Sequence, residues 1–196
     1  MGEASDHDDE SALIVRSQQQ DHQAFGCLID RYGGTVLNVI ARMIGNQTDA
    51  QDVAQEAFVS AFKSIANFRA DSRFSTWLHR IAVNKAKDYL RTQGRRQERE
   101  IFKPTEDDGN DPIMNIADDR TPEHGASDKQ TAHHIEQAIQ RLSPLYREAF
   151  VLKHVEGMEY EEMAQVLGVG RDVLKMRVYK ARIKLAQELE WLKEDQ

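Results

Sequence analysis

Phe68, Phe74 and Trp77 bring three flat rings close to a run of polar and cationic side chains, Arg80, Asn84, Lys87 and Arg91. Rings that stack on unpaired bases, together with cations that hold phosphates, favour separated nucleic-acid strands over duplex. The four polar residues follow one another at spacings of four, three and four. On a helix that spacing makes one stripe, opposite the apolar Leu78, Ile81 and Tyr89. A second set lies near the C-terminus: Arg171, Lys175, Met176, Arg177, Tyr179, Lys180 and Arg182. Lysine and arginine donate to guanine edges or to phosphates, and the flat or apolar parts of Tyr179 and Met176 can touch a thymine methyl.

Other chemistries find little material. No glycine loop has the pattern of a phosphate cradle, and Gly33-Gly34 lacks the residues that should surround it. His133 and His134 are adjacent, so on a helix they point about 100° apart and form no standard chelating pair. His79, His124 and His154 are scattered. No metal, no cofactor and no enzymatic activity is expected. Cys27 is the single cysteine and can form neither an internal disulfide nor a multi-cysteine zinc site. Its neighbours Phe25, Leu28 and Ile29 place it in the expected core.

The formal net charge of −7 over 196 residues argues at first against a nucleic-acid partner, but the charge is segregated. Glu3, Asp6, Asp8, Asp9 and Glu10 form an acidic head, and an acidic middle runs from Glu106 to Asp128. The cations gather between Arg69 and Arg99 and again between Arg171 and Lys184. Two basic stretches suit a protein that touches nucleic acid at two places. No apolar run approaches the roughly 18 residues of a membrane span, and the head lacks the basic and apolar regions of a signal peptide. A cytoplasmic protein with no direct membrane insertion is expected.

The elements that must carry these side chains are all helical. Residues 11–97 form a first domain. Ala24, Phe25, Leu28, Ile29 and Tyr32, then Val36, Leu37, Ile40, Ala41 and Ile44, recur at helical spacing. Gly33-Gly34 is expected to mark a break or local irregularity between them, and Gly45 a stop. Thr48 with Gln51 has the spacing of a capping box for the next helix, Ser72 or Ser75 is expected to cap the one after, and Gly94 and the arginines after it are expected to end the domain. Residues 98–130 lose the pattern; with Pro104, Gly109, Pro112, Pro122 and Gly125 among acids, they predict an extended flexible linker. Residues 131–193 form the second domain, where Ser143-Pro144 is a strong helix start and Gly157 a stop.

The most specific pattern lies between Tyr160 and Leu185. Ala164 is small where two helices must approach, Gly168 follows where the turn needs a left-handed backbone, and Leu174 returns to pack on the first helix. This is the spacing of a helix-turn-helix, whose second helix enters the major groove. On that helix Leu174, Val178, Ala181 and Leu185 are expected to face inward.

These stretches together resemble a family. Leu142-Ser-Pro-Leu-Tyr-Arg-Glu-Ala-Phe, Val155-Glu-Gly-Met-Glu-Tyr-Glu-Glu-Met-Ala and Leu167-Gly-Val-Gly resemble region 4 of the extracytoplasmic-function (group IV) sigma factors of bacterial RNA polymerase. Asp49-Ala-Gln-Asp-Val-Ala-Gln-Glu-Ala-Phe and the block from Phe68 to Leu90 resemble region 2, the latter close to the sigma-E/AlgU type. The resemblance implies a two-domain helical protein that lends promoter recognition to the polymerase core. It implies that Asp49, Asp52, Gln55, Glu56 and Val59 dock on the clamp helices of the β′ subunit, with the β flap as a second contact. These polymerase-facing residues lie off the apolar face of their helix, as an interface requires. The resemblance further implies that the Phe68–Phe74 loop takes a flipped base of the −10 element with Asn84 helping to read it, that region 4 reads the −35 element as duplex, and that an anti-sigma factor controls the protein. The chain departs from the family pattern at Glu159, where serine or threonine is usual, and at Gly170, Asp172, Val173 and Met176 on the way into the recognition helix. Two other readings remain open on the residues: a repressor or activator using only the helix-turn-helix, and a sigma-like decoy that binds no promoter.

Overall fold

The computed structural model describes residues 3–100 and 128–190, with side chains described over 9–94 and 131–190. The elements are α1 (Glu3–Gln18), α2 (His22–Ile44), α3 (Gln47–Ser64), a 3-10 turn (Ile65–Asn67), α4 (Phe74–Glu100), α5 (Asp128–Arg141), α6 (Pro144–Phe150), a π-helical turn (Val151–Val155), α7 (Tyr160–Leu167) and α8 (Arg171–Glu188). The protein is all-α, and the described residues contain no strand. The larger part of the expected linker, 101–127, lies outside the described residues; its two ends are helical, as the last turn of α4 and the first of α5.

In the first domain α2, α3 and α4 pack on one another, and α1 lies along α2. Leu28, Val36, Val39, Ile40, Ala57, Leu78 and Val83 are buried at the centre. Apolar side chains on these arcs leave water together, each worth about 1.5–3 kcal/mol for the larger ones. The sequence pattern places these arcs correctly but misjudges several boundaries. Helix α2 runs unbroken through Gly33-Gly34. A β-carbon at Gly33 would stand 3.3 Å from Ile29 Cγ2 of the same helix, a tight contact, and 3.6 Å from Phe58 of α3, an ordinary one. Helix α4 likewise continues past Gly94. It begins at Phe74, one residue before Ser75, with Trp77 N donating to Arg73 O at 3.1 Å, so neither Ser72 nor Ser75 holds the cap position. Cys27 is exposed rather than in the core, because Ala24, Phe25 and Leu28 define the buried arc and residue 27 falls roughly 100° to the side of it.

Helix α2 ends at Gly45, whose positive φ of 83° places its N–H on Ala41 O at 2.8 Å. The chain then turns directly into α3. Asn46, not Thr48, caps that helix: Asn46 Oδ1 accepts from the N–H groups of Thr48 and Asp49 at 2.9 and 3.1 Å.

In the second domain α6 packs on α8, and α7 packs on α8 across the tight turn. Pro144 opens α6, as expected, but the Ser143 hydroxyl at the cap position makes no capping bond. The helix then loosens into the π turn and stops before Gly157, whose φ is +66°. Gly168 adopts the left-handed conformation at φ +70°, with its N–H on Ala164 O at 2.9 Å, and Leu174 is fully buried. Glu159 stands at the N-cap of α7; its N–H donates to the Glu162 carboxylate at 3.1 Å, so the carboxylate three residues on satisfies an N–H that would otherwise lack a partner.

The two domains are in contact. A helix leaves its last carbonyls without partners. At the end of α2, Gln140 Nε2 donates to Arg42 O at 2.7 Å and Arg147 Nη1 to Met43 O at 2.7 Å, so the second domain satisfies the C-terminus of a helix in the first. Burial holds the Arg147 guanidinium below its ordinary pKa. No helix among the described residues is long and apolar enough to cross a membrane.

The cap assignment gives a direct test. Asn46→Ala is expected to lower stability by about 1 kcal/mol, whereas Thr48→Ala changes it by less than about 0.5 kcal/mol. Urea unfolding followed by circular dichroism separates the two.

Candidate functional site

Three faces carry the candidate residues. The first is built where α3 passes into α4. The 3-10 turn directs the chain outward at Phe68, and Ala70, with φ of 57°, reverses it towards Arg73 and α4. A non-glycine residue in that conformation is uncommon and here shapes the loop. Gln18, at the end of α1, donates to Phe68 O at 2.8 Å and fixes the start of the loop.

The rings then gather into one cluster. Phe68 meets Phe74 edge-on at 5.8 Å and Trp77 at 5.2 Å, Phe74 lies 5.5 Å from Trp77, and Tyr32 backs Phe74 at 5.7 Å. Such centroid distances are those of favourable aromatic pairs. Phe74 is only 1% exposed and Phe68 7%, so the cluster is part of the core, with Trp77 half-buried at its margin. Behind Tyr32, its hydroxyl donates to Glu10; burial first, and then this bond to a carboxylate, push the phenol up to about 12.

Along α4, Arg80, Asn84 and Arg91 are exposed. Lys87 is half-buried, with its Nζ 2.7 Å from the Glu148 carboxylate of α6. The polar stripe expected from the spacing therefore exists, and one of its four members is engaged with the second domain.

The second face is on α3. Asp52, Gln55, Glu56 and Val59 are exposed and successive along the helix, an acidic and polar stripe around an apolar side chain. Asp49 is different: it is half-buried and accepts a hydrogen bond from the Tyr89 hydroxyl at 2.6 Å, which ties α3 to α4. Glu56 reaches Lys85 at 3.6 Å.

The third face is α8. Leu174, Val178, Ala181 and Leu185 are buried, as the spacing predicts. Arg171, Lys175, Met176, Tyr179, Lys180 and Arg182 are exposed. Arg171 hydrogen-bonds to Glu161 on α7, and that bond holds the Glu161 carboxyl below the usual carboxylate range. Arg177 turns the other way, to Glu148 at 3.1 Å. Glu148, only 2% exposed, is the residue sequence reasoning passed over. Its one signal is position: it falls on the same side of α6 as the buried Ala149 and Leu152, and an acid on a buried arc must find a cation.

The structure thus brings Phe68, Phe74 and Trp77 together, aligns Arg80, Asn84, Lys87 and Arg91, and presents six of the seven α8 candidates on one exposed surface.

Comparison with known proteins adds to this geometry. Residues 28–96 match the family model described as Sigma-70 region 2, and residues 133–185 match that of Sigma-70, region 4. The chain is 35% identical over 173 residues to an ECF RNA polymerase sigma-E factor of Haemophilus influenzae, covering 88% of this chain and 91% of that protein. It is 35% identical over 178 residues to an RNA polymerase sigma-H factor of Pseudomonas aeruginosa, covering 87% and 88%. In fold it is similar to the sigma factor RpoE of Bartonella quintana, solved in complex with the anti-sigma factor NepR, with a TM-score of 0.65 and 23% identity over 85% of this chain and 96% of that one.

The inward turn of Arg177 has a measurable consequence. Arg177→Ala removes one of the two cations that pair with the buried Glu148, leaving Lys87 at 2.7 Å, and is expected to cost about 1–2 kcal/mol, while Lys175→Ala on the exposed face changes stability by less than about 0.5 kcal/mol. Chemical denaturation of the two variants gives the comparison; equal and small losses would mean that Arg177 is as free as Lys175.

Proposed function

This chain belongs to the extracytoplasmic-function sigma factors of RNA polymerase, and from that premise we propose a division of its promoter-directing work among the three faces. The first domain, residues 11–97, holds the core enzyme through Asp52, Gln55, Glu56 and Val59 against the β′ clamp helices. The loop from Phe68 to Phe74, with Trp77, receives a base of the −10 element once it leaves the stack. Arg80, Asn84, Lys87 and Arg91 follow the separated strand. Residues 131–193 lay α8 in the −35 duplex beside the β flap, with 98–130 as the connection. An anti-sigma factor covers these faces when transcription is not required. The protein acts in the cytoplasm, without metal or cofactor, as a specificity subunit and not as an enzyme.

The observation that carries this reading is the separation of the exposed faces: an acidic-polar stripe on α3, a polar-cationic row on α4 and a cationic face on α8. A repressor using only the helix-turn-helix leaves the first two without a partner. Flipping a base costs a few kcal/mol, offset by pocket contacts. Phe74 lies too deep to stack on that base directly and supports Phe68 and Trp77 from behind. Asp49 contributes through its bond to Tyr89, which sets α3 against α4, and Arg177 through its bond to Glu148, which sets α8 on its domain.

Run-off transcription with core polymerase and a library of genomic fragments tests the proposal. Specific initiation is expected from a subset of fragments; folded, core-bound protein that starts no specific transcript would defeat it. Within that assay, Asn84→Ala is expected to impair strand opening, read by permanganate reactivity of unpaired thymines, more than binding to closed duplex. Lys175→Ala is expected to impair duplex binding more than opening. Equal losses in both measurements from both variants would refute the division.

A further inference from the structure

Helix α8 is apolar on two opposite sides. Its buried side is accounted for by Leu174, Val178, Ala181 and Leu185. On its outer side Val173, Met176, Tyr179 and Ile183 are 49%, 54%, 61% and 40% exposed. These four are among only nine large apolar side chains exposed over the described residues, so nearly half of that surface lies on one helix. At 3.6 residues per turn, Met176, Tyr179 and Ile183 fall within roughly 60° of one another and Val173 roughly 60° beyond Met176. The result is a continuous apolar stripe.

Exposed cations border the stripe on both sides, Lys175 and Arg182 along one edge and Lys180 and Lys184 along the other. This arrangement matches one kind of surface. A major groove has phosphates along both walls and base edges on its floor, and the apolar groups on that floor are the C5-methyls of thymine. We propose that the outer face of α8 reads the −35 element chiefly through thymine methyls, packed on Val173, Met176 and Tyr179, while the flanking lysines and arginines hold the phosphates and carry little sequence information. The inference rests on α8 entering that duplex. Asp172, which lies on the same face near the start of the helix with Lys175 3.5 Å away, is the polar exception, and it can accept from a cytosine amino group.

The chemistry distinguishes this from readout by hydrogen bonds. Arg177, which could have made a bidentate contact to guanine, is committed to Glu148. Val173 and Met176 can offer the groove only hydrocarbon and a thioether. Burying one methyl is worth about a fourfold change in affinity, whereas each phosphate contact weakens uniformly with salt.

Holoenzyme assembled from the full chain and core polymerase, on a promoter recovered from the run-off screen, provides the test. Synthetic duplexes carry thymine or uracil at the −35 segment; the two bases differ only in the C5-methyl. Each thymine under the stripe is expected to weaken binding about fourfold when replaced by uracil, measured by mobility shift. Met176→Ala should bring the thymine-to-uracil affinity ratio towards one. Lys175→Ala should weaken both duplexes alike and leave the ratio intact, a difference that a merely destabilised helix would not produce. Equal affinity of the unaltered protein for the two duplexes, on a promoter it transcribes, would overturn the inference and leave the function standing. A normal ratio in Met176→Ala with weakened binding to core polymerase would mean that the stripe docks a protein, and would overturn it as well. Failure to recover any promoter would remove the function and this inference together.

Discussion

Glu148 sets a constraint that reaches both domains. A carboxylate that is 2% exposed cannot stand unpaired, because the desolvation of its charge costs several kcal/mol. It draws Arg177 from α8 at 3.1 Å and Lys87 from α4 at 2.7 Å. The first of these pairs agrees with the rotation that burial of Leu174, Val178, Ala181 and Leu185 gives α8: Arg177 turns in, and Met176 and Tyr179 face out. The second pair brings a member of the α4 polar row against the second domain. Around it the same contact is extended by Gln140 and Arg147 on the last carbonyls of α2, by Arg42 with Glu136 at 3.6 Å, and by His79 with Glu156 at 3.5 Å. The arrangement of the domains is therefore polar and geometrically specific. A phosphate that takes Lys87 must replace a carboxylate already 2.7 Å away, so strand binding at that point and domain contact draw on the same ammonium group.

The fold was legible to the extent that it follows from periodicity and turn chemistry. Ala164, Gly168 and Leu174 identified the helix-turn-helix because each residue type answers a local requirement: close approach, positive φ and burial. The inward face of α8 followed from a repeat of three and four residues. What escaped depends on partners distant in sequence. Gly33 suggests a break because glycine weakens a helix by roughly 1 kcal/mol relative to alanine, yet α2, packed on α3 and α4, runs through it. Arg177 read as one more cation on a basic helix, since nothing local shows that a carboxylate 29 positions earlier is buried beneath it. Asn46 was overlooked as a cap because Thr48 and Gln51 had the right spacing; the side chain that reaches the free N–H groups stood two residues earlier.

The aromatic candidates show how far residue type alone carries an assignment. Phe68, Phe74 and Trp77 were singled out for a property they share, a π-face, but the structure grades them by depth. Phe74 lies in the core, Phe68 nearly so, and Trp77 at the edge. A ring enclosed by Tyr32, Phe68 and Trp77 holds its neighbours in place. A preformed ring cluster loses less side-chain entropy on binding than rings that must be ordered by the ligand. The loop that presents Phe68 is held in the same manner, by the Gln18 bond to its carbonyl and by the left-handed turn at Ala70. Here the core extends into the candidate site, and the side chains proposed for recognition also pack the domain.

The opposite holds on α8, where the packing side chains and those proposed for recognition are separate. Its buried side holds the helix in the domain, and its outer side carries four exposed apolar residues between two rows of cations, of which Lys184 lies over the Tyr146 ring. Exposed apolar area of this kind is a cost in water that packing elsewhere must offset, and contiguous patches mark surfaces that meet a partner. Val173 and Met176 fall on that outer side, where they present a hydrocarbon and a thioether. A change there leaves the buried stripe, the Gly168 turn and the Arg177 pair untouched, so the helix can vary in what it touches while remaining fixed in where it stands. That independence follows from the rotation of α8, which its buried apolar side sets and the Arg177–Glu148 pair matches.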